Sequence, residues 1–259
     1  MPKKRFGQHF LTDPAILERI VDFSRVGAGD SVVEIGPGRG ALTSRLARRA
    51  GSVVAVELDR DLIGPLEASM PSNVRILAAD ALDIDYRTIA PAGYALVGNL
   101  PYNVATPLIE RFTAARRAIG SVTVMLQKEV ADRIVASPGG KDYGPLTLGV
   151  GYYAEVEAGF VLKPGAFSPP PRVDSRMIRL TWKTDVGDAP TLMAFIRTSF
   201  RSRRKTLVNN IQSLSGVGRD RATRALVEAG LDPNVRAEDV SLETFRSLHA
   251  ALGAERPKS

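Results

Sequence analysis

The sequence predicts an α/β protein: a Rossmann-like, mainly parallel sheet followed by a small all-helical domain. Three observations predict it. Short apolar runs bounded by Gly, Asp or Pro alternate with segments of helical periodicity from residue 14 to about residue 135. Those runs are apolar throughout, as strands are when both faces of a sheet are covered. Glycines and carboxylates recur just past the first four runs, on the side where open α/β sheets bind ligands.

Each element has a local reason. Phe6, Phe10 and Leu11 read as buried anchors. Asp13-Pro14 opens a helix, with Pro14 at the first helical position, where a missing N–H is tolerated; its apolar stripe is Ile16, Leu17, Ile20 and Val21. Residues 31–35 form a buried strand, Gly36-Pro37-Gly38-Arg39-Gly40 follows at once, and residues 41–49 are helical. Residues 53–56 are the second strand, ending at Glu57, before a helix over 61–69. Residues 74–77 are the third, ending at Asp80. Residues 95–97 are the fourth and lead into Asn99; a helix over 106–115 follows. The fifth strand is 122–126, with a helix around 129–135. Runs around 156–162 and 177–182 read as an antiparallel pair. A polar linker covers 183–190, and 191–249 reads as helices punctuated by Gly216-Val217-Gly218, Gly230 and Pro233. The expected domains are 1–184 and 185–259.

Composition narrows the function. The absence of cysteine excludes disulfides, thiolate-held zinc and a catalytic thiol. With His9 and His249 the only histidines, no metal site is expected. Met1 to Arg5 carries charge with no apolar run behind it, so no secretory signal is expected; no stretch reaches the length of a membrane span, and a cytoplasmic protein is expected. Net charge is +7, and residues 190–259 hold 12 Lys or Arg against 7 Asp or Glu. A polyanionic partner for the C-terminal part follows from that excess.

Two stretches carry the chemistry. Asn99-Leu100-Pro101-Tyr102 closes the fourth strand. Asn99 offers an amide oxygen and Leu100 a backbone carbonyl, which Pro101 aims by keeping Leu100 out of the α region. Tyr102 offers a face for stacking. Together they suit a flat ring with an amino group, such as adenine. The turn Gly36-x-Gly38-x-Gly40, with Glu57 about 20 residues on, has two readings. One is a dinucleotide fingerprint. The other is S-adenosylmethionine, which has a ribose but no phosphate. Glu34 favours the second, because a carboxylate there attracts an ammonium and opposes a pyrophosphate. Asp80, placed to accept from an adenine amino group, favours it too.

Five motifs in order resemble the ribosomal RNA adenine dimethyltransferase family, in its small-subunit branch. They are Phe6-Gly7-Gln8-His9-Phe10-Leu11, Glu34 to Thr43, Asn99 to Tyr102, Phe167-Ser168-Pro169-Pro170-Pro171-Arg172-Val173-Asp174-Ser175, and Arg201 to Thr206. The resemblance spans roughly residues 3–250. It implies a class I methyltransferase sheet and S-adenosyl-L-methionine as methyl donor. It places His9, Leu11, Glu34, Gly36, Gly38, Glu57, Asp80, Ala81 and Asn99 around that donor. Asn99, Leu100, Pro101, Tyr102 and Phe167 would hold the target base, with Tyr102 and Phe167 sandwiching it. Lys3, Lys4, Arg5, Arg201, Arg203, Arg204 and Lys205 would meet RNA. The implied reaction places two methyls on N6 of each of two adjacent adenosines, in the 3′-terminal hairpin loop of small-subunit (16S) rRNA, late in subunit assembly. The implied partner is an assembling small subunit, and a monomer is expected. The alternatives are a large-subunit adenine methyltransferase of the antibiotic-resistance type and a mainly non-catalytic assembly factor.

Overall fold

The computed structural model describes residues 8–214 and 216–253. Lys3, Lys4, Arg5 and Phe6 lie outside the described residues.

The chain divides into two units. The first comprises residues up to Ala131 together with Glu155–Trp182. Its elements are β1 (Phe10–Leu11), α1 (Pro14–Ser24), β2 (Ser31–Ile35), α2 (Thr43–Arg49), β3 (Ser52–Glu57), α3 (Arg60–Ser69), β4 (Val74–Ala78), β5 (Tyr94–Asn99), α4 (Ala105–Ala114), β6 (Ile119–Gln127) and the start of α5 (Lys128–Ile134). After an excursion into the second unit, which holds α6 (Pro145–Tyr153), the chain returns as β7 (Ala154–Leu162), β8 (Phe167–Ser168) and β9 (Ser175–Trp182).

One seven-stranded sheet has the order β4-β3-β2-β5-β6-β9-β7. β2 to β6 are parallel to their neighbours, and β9 runs antiparallel to β6. The parallel register lines up the strand ends: Ile35 lies opposite Val56 and Gly98, and Glu57 opposite Ala78. The loops after β2, β3, β4 and β5 therefore leave the sheet at one edge. β2 and β5 sit so close that a Cβ on Gly98 would lie 2.6 Å from the Ile35 carbonyl oxygen. Only glycine fits there.

Capping follows the sequence signals. Asp13 Oδ1 accepts from the Ala15 N–H at 2.8 Å, and Pro14 begins α1 as expected. The stripe Leu17, Ile20 and Val21 is buried, with Leu46, Val32 and Val53, in a core that also takes in Leu11 and Phe167. β1 and β8 form a two-residue antiparallel pair, Phe10 opposite Ser168 and Leu11 opposite Phe167, too short to leave a periodic signal. β7 and β9 are neighbours at the edge of the sheet.

The second unit comprises Asp132–Ala154 and the residues from Lys183 onward. Besides α6 it holds α7 (Pro190–Ser199), α8 (Leu207–Ile211), α9 (Arg219–Glu228) and α10 (Leu242–Leu252). The division differs from the expected 1–184 and 185–259 because residues 132–154 belong to the helical unit. Tyr143 and Leu148 pack in one core with Phe195, Phe245 and Leu248, and the Tyr143 hydroxyl donates to the Val240 carbonyl at 2.9 Å. α6 is apolar on nearly every side, so it carries no amphipathic stripe to announce a helix. Among the described residues no helix is long and apolar enough to cross a membrane.

Candidate active site

A cleft of about 600 Å³ opens at the carboxyl edge of β2–β5. Its walls include every expected donor-binding residue: His9, Leu11, Glu34, Gly36, Gly38, Glu57, Asp80, Ala81 and Asn99. Leu100, Pro101 and Tyr102 line it as well. Two segments distant in sequence, the glycine turn and the 99–102 loop, thus face one space.

The glycine turn is shaped by left-handed backbone. Gly36, Gly38 and Gly40 have φ of 72°, 60° and 80°. A Cβ on Gly38 would lie 2.8 Å from the Phe10 ring, so β1 closes tightly over the turn. Arg39 reaches back over the same ring at 4.9 Å. Gln8 Nε2 donates to Asp59 Oδ2 at 3.1 Å. Residues 8–11 are thereby strapped across the mouth of the cleft.

Glu57, at the end of β3, is held by the turn itself. Its Oε2 accepts from Gly38 N–H at 3.0 Å and its Oε1 from Asp59 N–H at 2.8 Å. Burial raises its carboxyl above the ordinary range, against the opposing pull of those N–H bonds. Each oxygen keeps a second lone pair, as a vicinal diol would require. Asp80 Oδ1 accepts from Leu82 N–H at 2.8 Å, which fixes the carboxylate and leaves Oδ2 for a ligand. Leu58 lines the same cleft with 47% exposure and offers an apolar wall for a flat ring.

Glu34 is 1% exposed, and no hydrogen bond of ordinary geometry reaches its Oε2. Burial pushes its carboxyl up to about 8; the nearby Thr43 hydroxyl eases the charged form, and Glu57 opposes it. A buried orphan carboxylate oxygen at a ligand cleft is poised for a cationic group.

The 99–102 loop has unambiguous polarity. Asn99 Nδ2 donates to the His9 carbonyl at 3.0 Å, so Oδ1 is the atom left for a ligand. Leu100 N–H donates to the Met125 carbonyl at 3.2 Å, whereas its own carbonyl accepts nothing from the described residues. Two acceptors thus stand without donors in adjacent residues, which a pair of ligand N–H bonds would satisfy. The Tyr102 hydroxyl shares a hydrogen bond with Ser175 Oγ at 2.7 Å, and the His9 ring stacks on the Tyr102 ring with centroids 5.8 Å apart at 26°. His9 Nδ1–H donates to the Pro169 carbonyl at 2.8 Å.

Phe167 departs from its expected place. It is 4% exposed, sits in the core with Leu11 and Leu17, and does not line the cleft. The proline run that follows it suggests an exposed ring; pairing of β8 with β1 turns the ring inward instead. Leu58 and Asn103 lie outside the motifs of the sequence, and Gln8, Arg39 and Ser175 lie within them without a role that the sequence assigns. Leu58 does carry a weaker signal, since an apolar residue directly after a strand-end acid has no core to enter.

In the second unit, Arg201, Arg203, Arg204 and Lys205 are exposed in the loop between α7 and α8. Arg203 is already engaged, with Nη2 at 2.9 Å from Glu238 Oε2 and donating to the Lys141 carbonyl at 2.6 Å. It braces the loop, while Arg201, Arg204 and Lys205 point their charge at solvent.

The model of the family described as "Ribosomal RNA adenine dimethylase" matches residues 2–252. The chain belongs to this family. It is 45% identical over 256 residues to "Ribosomal RNA small subunit methyltransferase A" of Acidithiobacillus ferrooxidans, covering 96% of this chain and 94% of that protein. It is 42% identical to the protein of the same name from Geobacillus thermodenitrificans, covering 96% and 90%. Among solved structures it resembles a dimethyladenosine transferase from Plasmodium falciparum, with TM-score 0.83, 23% identity, and 95% and 99% coverage. It also resembles the 23S rRNA methyltransferase ErmE, with TM-score 0.72, 25% identity, and 94% and 99% coverage. The class I methyltransferase fold is common to them. The glycine turn and the 99–102 loop, which face each other in the cleft, both lie within the matched residues.

Proposed function

We propose that the chain transfers methyl groups from S-adenosyl-L-methionine to N6 of two adjacent adenosines in the 3′-terminal hairpin loop of 16S rRNA, giving N6,N6-dimethyladenosine. The observation that carries this reading is the pair of unpaired acceptors, Asn99 Oδ1 and the Leu100 carbonyl, beside the Tyr102 ring. An exocyclic amino group offers two N–H donors and an aromatic ring, the complement of that set.

The residues present fit the methyl donor. Glu34 offers a buried orphan oxygen to an ammonium, Gly36 and Gly38 leave the turn without side chains, Glu57 faces the ribose hydroxyls, and Asp80, Ala81 and Leu58 frame the adenine. S-adenosylmethionine supplies a methyl already activated by its sulfonium centre.

N6 of adenine is a poor nucleophile because its lone pair is delocalised into the ring. Acceptance of both N–H bonds by Asn99 and Leu100 favours a more tetrahedral nitrogen, with its lone pair free to face the methyl. Tyr102 holds the ring plane; such stacking is worth roughly 1–3 kcal/mol per base. Much of the rate then comes from alignment. After transfer the nitrogen is acidic and releases its proton readily, so no strong general base is required. A second round needs the monomethylated base to re-enter and turn in the same slot.

The partner is an assembling small subunit in the cytoplasm, and Arg201, Arg204 and Lys205 supply phosphate contacts. The deciding experiment offers undermethylated small and large subunits separately, with a labelled methyl donor, followed by mass spectrometry of digested RNA. Dimethyladenosine in small-subunit RNA is the expected result. Label confined to large-subunit RNA would transfer the reading to the resistance type, and no label in either would leave an assembly factor.

A further inference from the structure

The stacking ring has a support that the reaction as described leaves unused. Tyr102 is half-buried and has two principal freedoms: a swing of the whole ring about its first side-chain bond, and a twist of the ring about its long axis. A different partner opposes each one. The swing carries the phenol oxygen with it, and that oxygen is tied to Ser175 Oγ at 2.7 Å. The twist leaves the oxygen in place, so Ser175 restrains it little; the His9 ring, at 26° to Tyr102 and 5.8 Å between centroids, opposes it instead. His9 is in turn tied to the Pro169 carbonyl through Nδ1–H.

The two restraints differ when a purine arrives. A ring inserted between two parallel faces needs about 3.5 Å on each side, or about 7 Å in total. The His9 and Tyr102 centroids are closer than that, so the imidazole must yield to a base stacking on this face, and the base then fixes the twist. Ser175 is 0% exposed at the start of β9, anchored by its pairing with Gln127 of β6, and stays where it is. It is the one restraint in this set that outlasts base entry.

We propose that Ser175 is a positioning residue for the target base: its hydroxyl pins Tyr102 so that the purine is presented to the methyl at a fixed angle in both rounds of transfer. The proposal rests on the adenine-N6 reading of the cleft. Its effect is greatest in the second round, when the bulkier monomethylated amino group must be presented in one orientation.

The test compares Ser175→Ala, Tyr102→Phe and the double variant on undermethylated small subunits. Each single variant removes the same hydrogen bond. The expected result is a roughly tenfold lower kcat in each, short of the 10²-fold loss that a 1 Å misplacement brings. Affinity for S-adenosylmethionine by calorimetry should stay near that of the unmodified protein. Monomethyladenosine should accumulate, and the double variant should be no worse than either single one. Dimethyl product at an unchanged rate from Ser175→Ala overturns the proposal, as does additive loss in the double variant. Should Ser175→Ala fail to fold, Tyr102→Phe alone decides by its mono-to-dimethyl ratio. Failure of the unmodified protein to methylate the subunit would strike the adenine-N6 reading itself, a distinct outcome.

Discussion

Asn99 works through two atoms with different duties. Its Nδ2 is spent on the His9 carbonyl, and its Oδ1 is the atom we propose for the substrate. Asn99→Ala is therefore expected to bind S-adenosylmethionine nearly as well as the unmodified protein while turnover falls by roughly 10²-fold or more, the scale of losing one aimed polar group; intact turnover would remove Asn99 from its role. Glu34 makes a pH prediction. Its folded pKa of about 8 lies above the unfolded value of 4.5. Between the two the folded state binds more protons than the unfolded one, so this group makes stability fall as pH rises from about 4.5 to 8. The melting temperature of Glu34→Gln should lose that part of its decline, and an unchanged slope would place the titration elsewhere. An ammonium beside Glu34 favours its charged form, so donor binding near pH 7 should release a proton, detectable by calorimetry in buffers of different ionisation enthalpy. The residues at strand ends were legible because an acid or an amide there has little structural reason to be present. Ser175 closes one of the motifs, but its tie to Tyr102 is not legible there, because that partner is 73 residues away.

At the scale of elements, five parallel strands and their helices were readable from apolar runs and caps, with ends shifted by at most three residues. What escaped was either very short or uniformly apolar. β1 and β8 have two residues each, and their pairing is what buries Phe167. α6 has no polar face to mark its period. The close approach of β2 and β5 makes a prediction of its own. Gly98→Ala would place a methyl against the Ile35 carbonyl, a backbone atom that cannot rotate aside. A loss of about 1–3 kcal/mol is expected from denaturant unfolding. It should come with lower donor affinity, since Gly36 and Asn99 follow directly on the two strands being pushed apart.

For the molecule as a whole, charge and chemistry lie in different units. The cleft belongs to the first unit, while the C-terminal residues carry most of the basic excess. Composition alone signalled the excess, but it could not tell Arg203, spent on Glu238, from its neighbours. Neutralising Arg201, Arg204 and Lys205 together should leave donor binding untouched and weaken RNA binding. It should also flatten the plot of log affinity against log salt by roughly 0.7–0.9 for each phosphate that is no longer neutralised. An unchanged slope would mean these side chains meet only water. Arg203→Ala should instead show itself in the melting temperature.

The tie between His9 and Asn99 spans ninety positions of chain. The amide that would grip the nucleobase takes its heading from the carbonyl of His9, in a segment held by ties to Asp59 and Pro169, by its approach to Gly38 and by the pairing of β1 with β8. Loss of that one bond would leave the amide free to turn over. The heading of one side chain at the cleft thus depends on a segment remote from it in sequence.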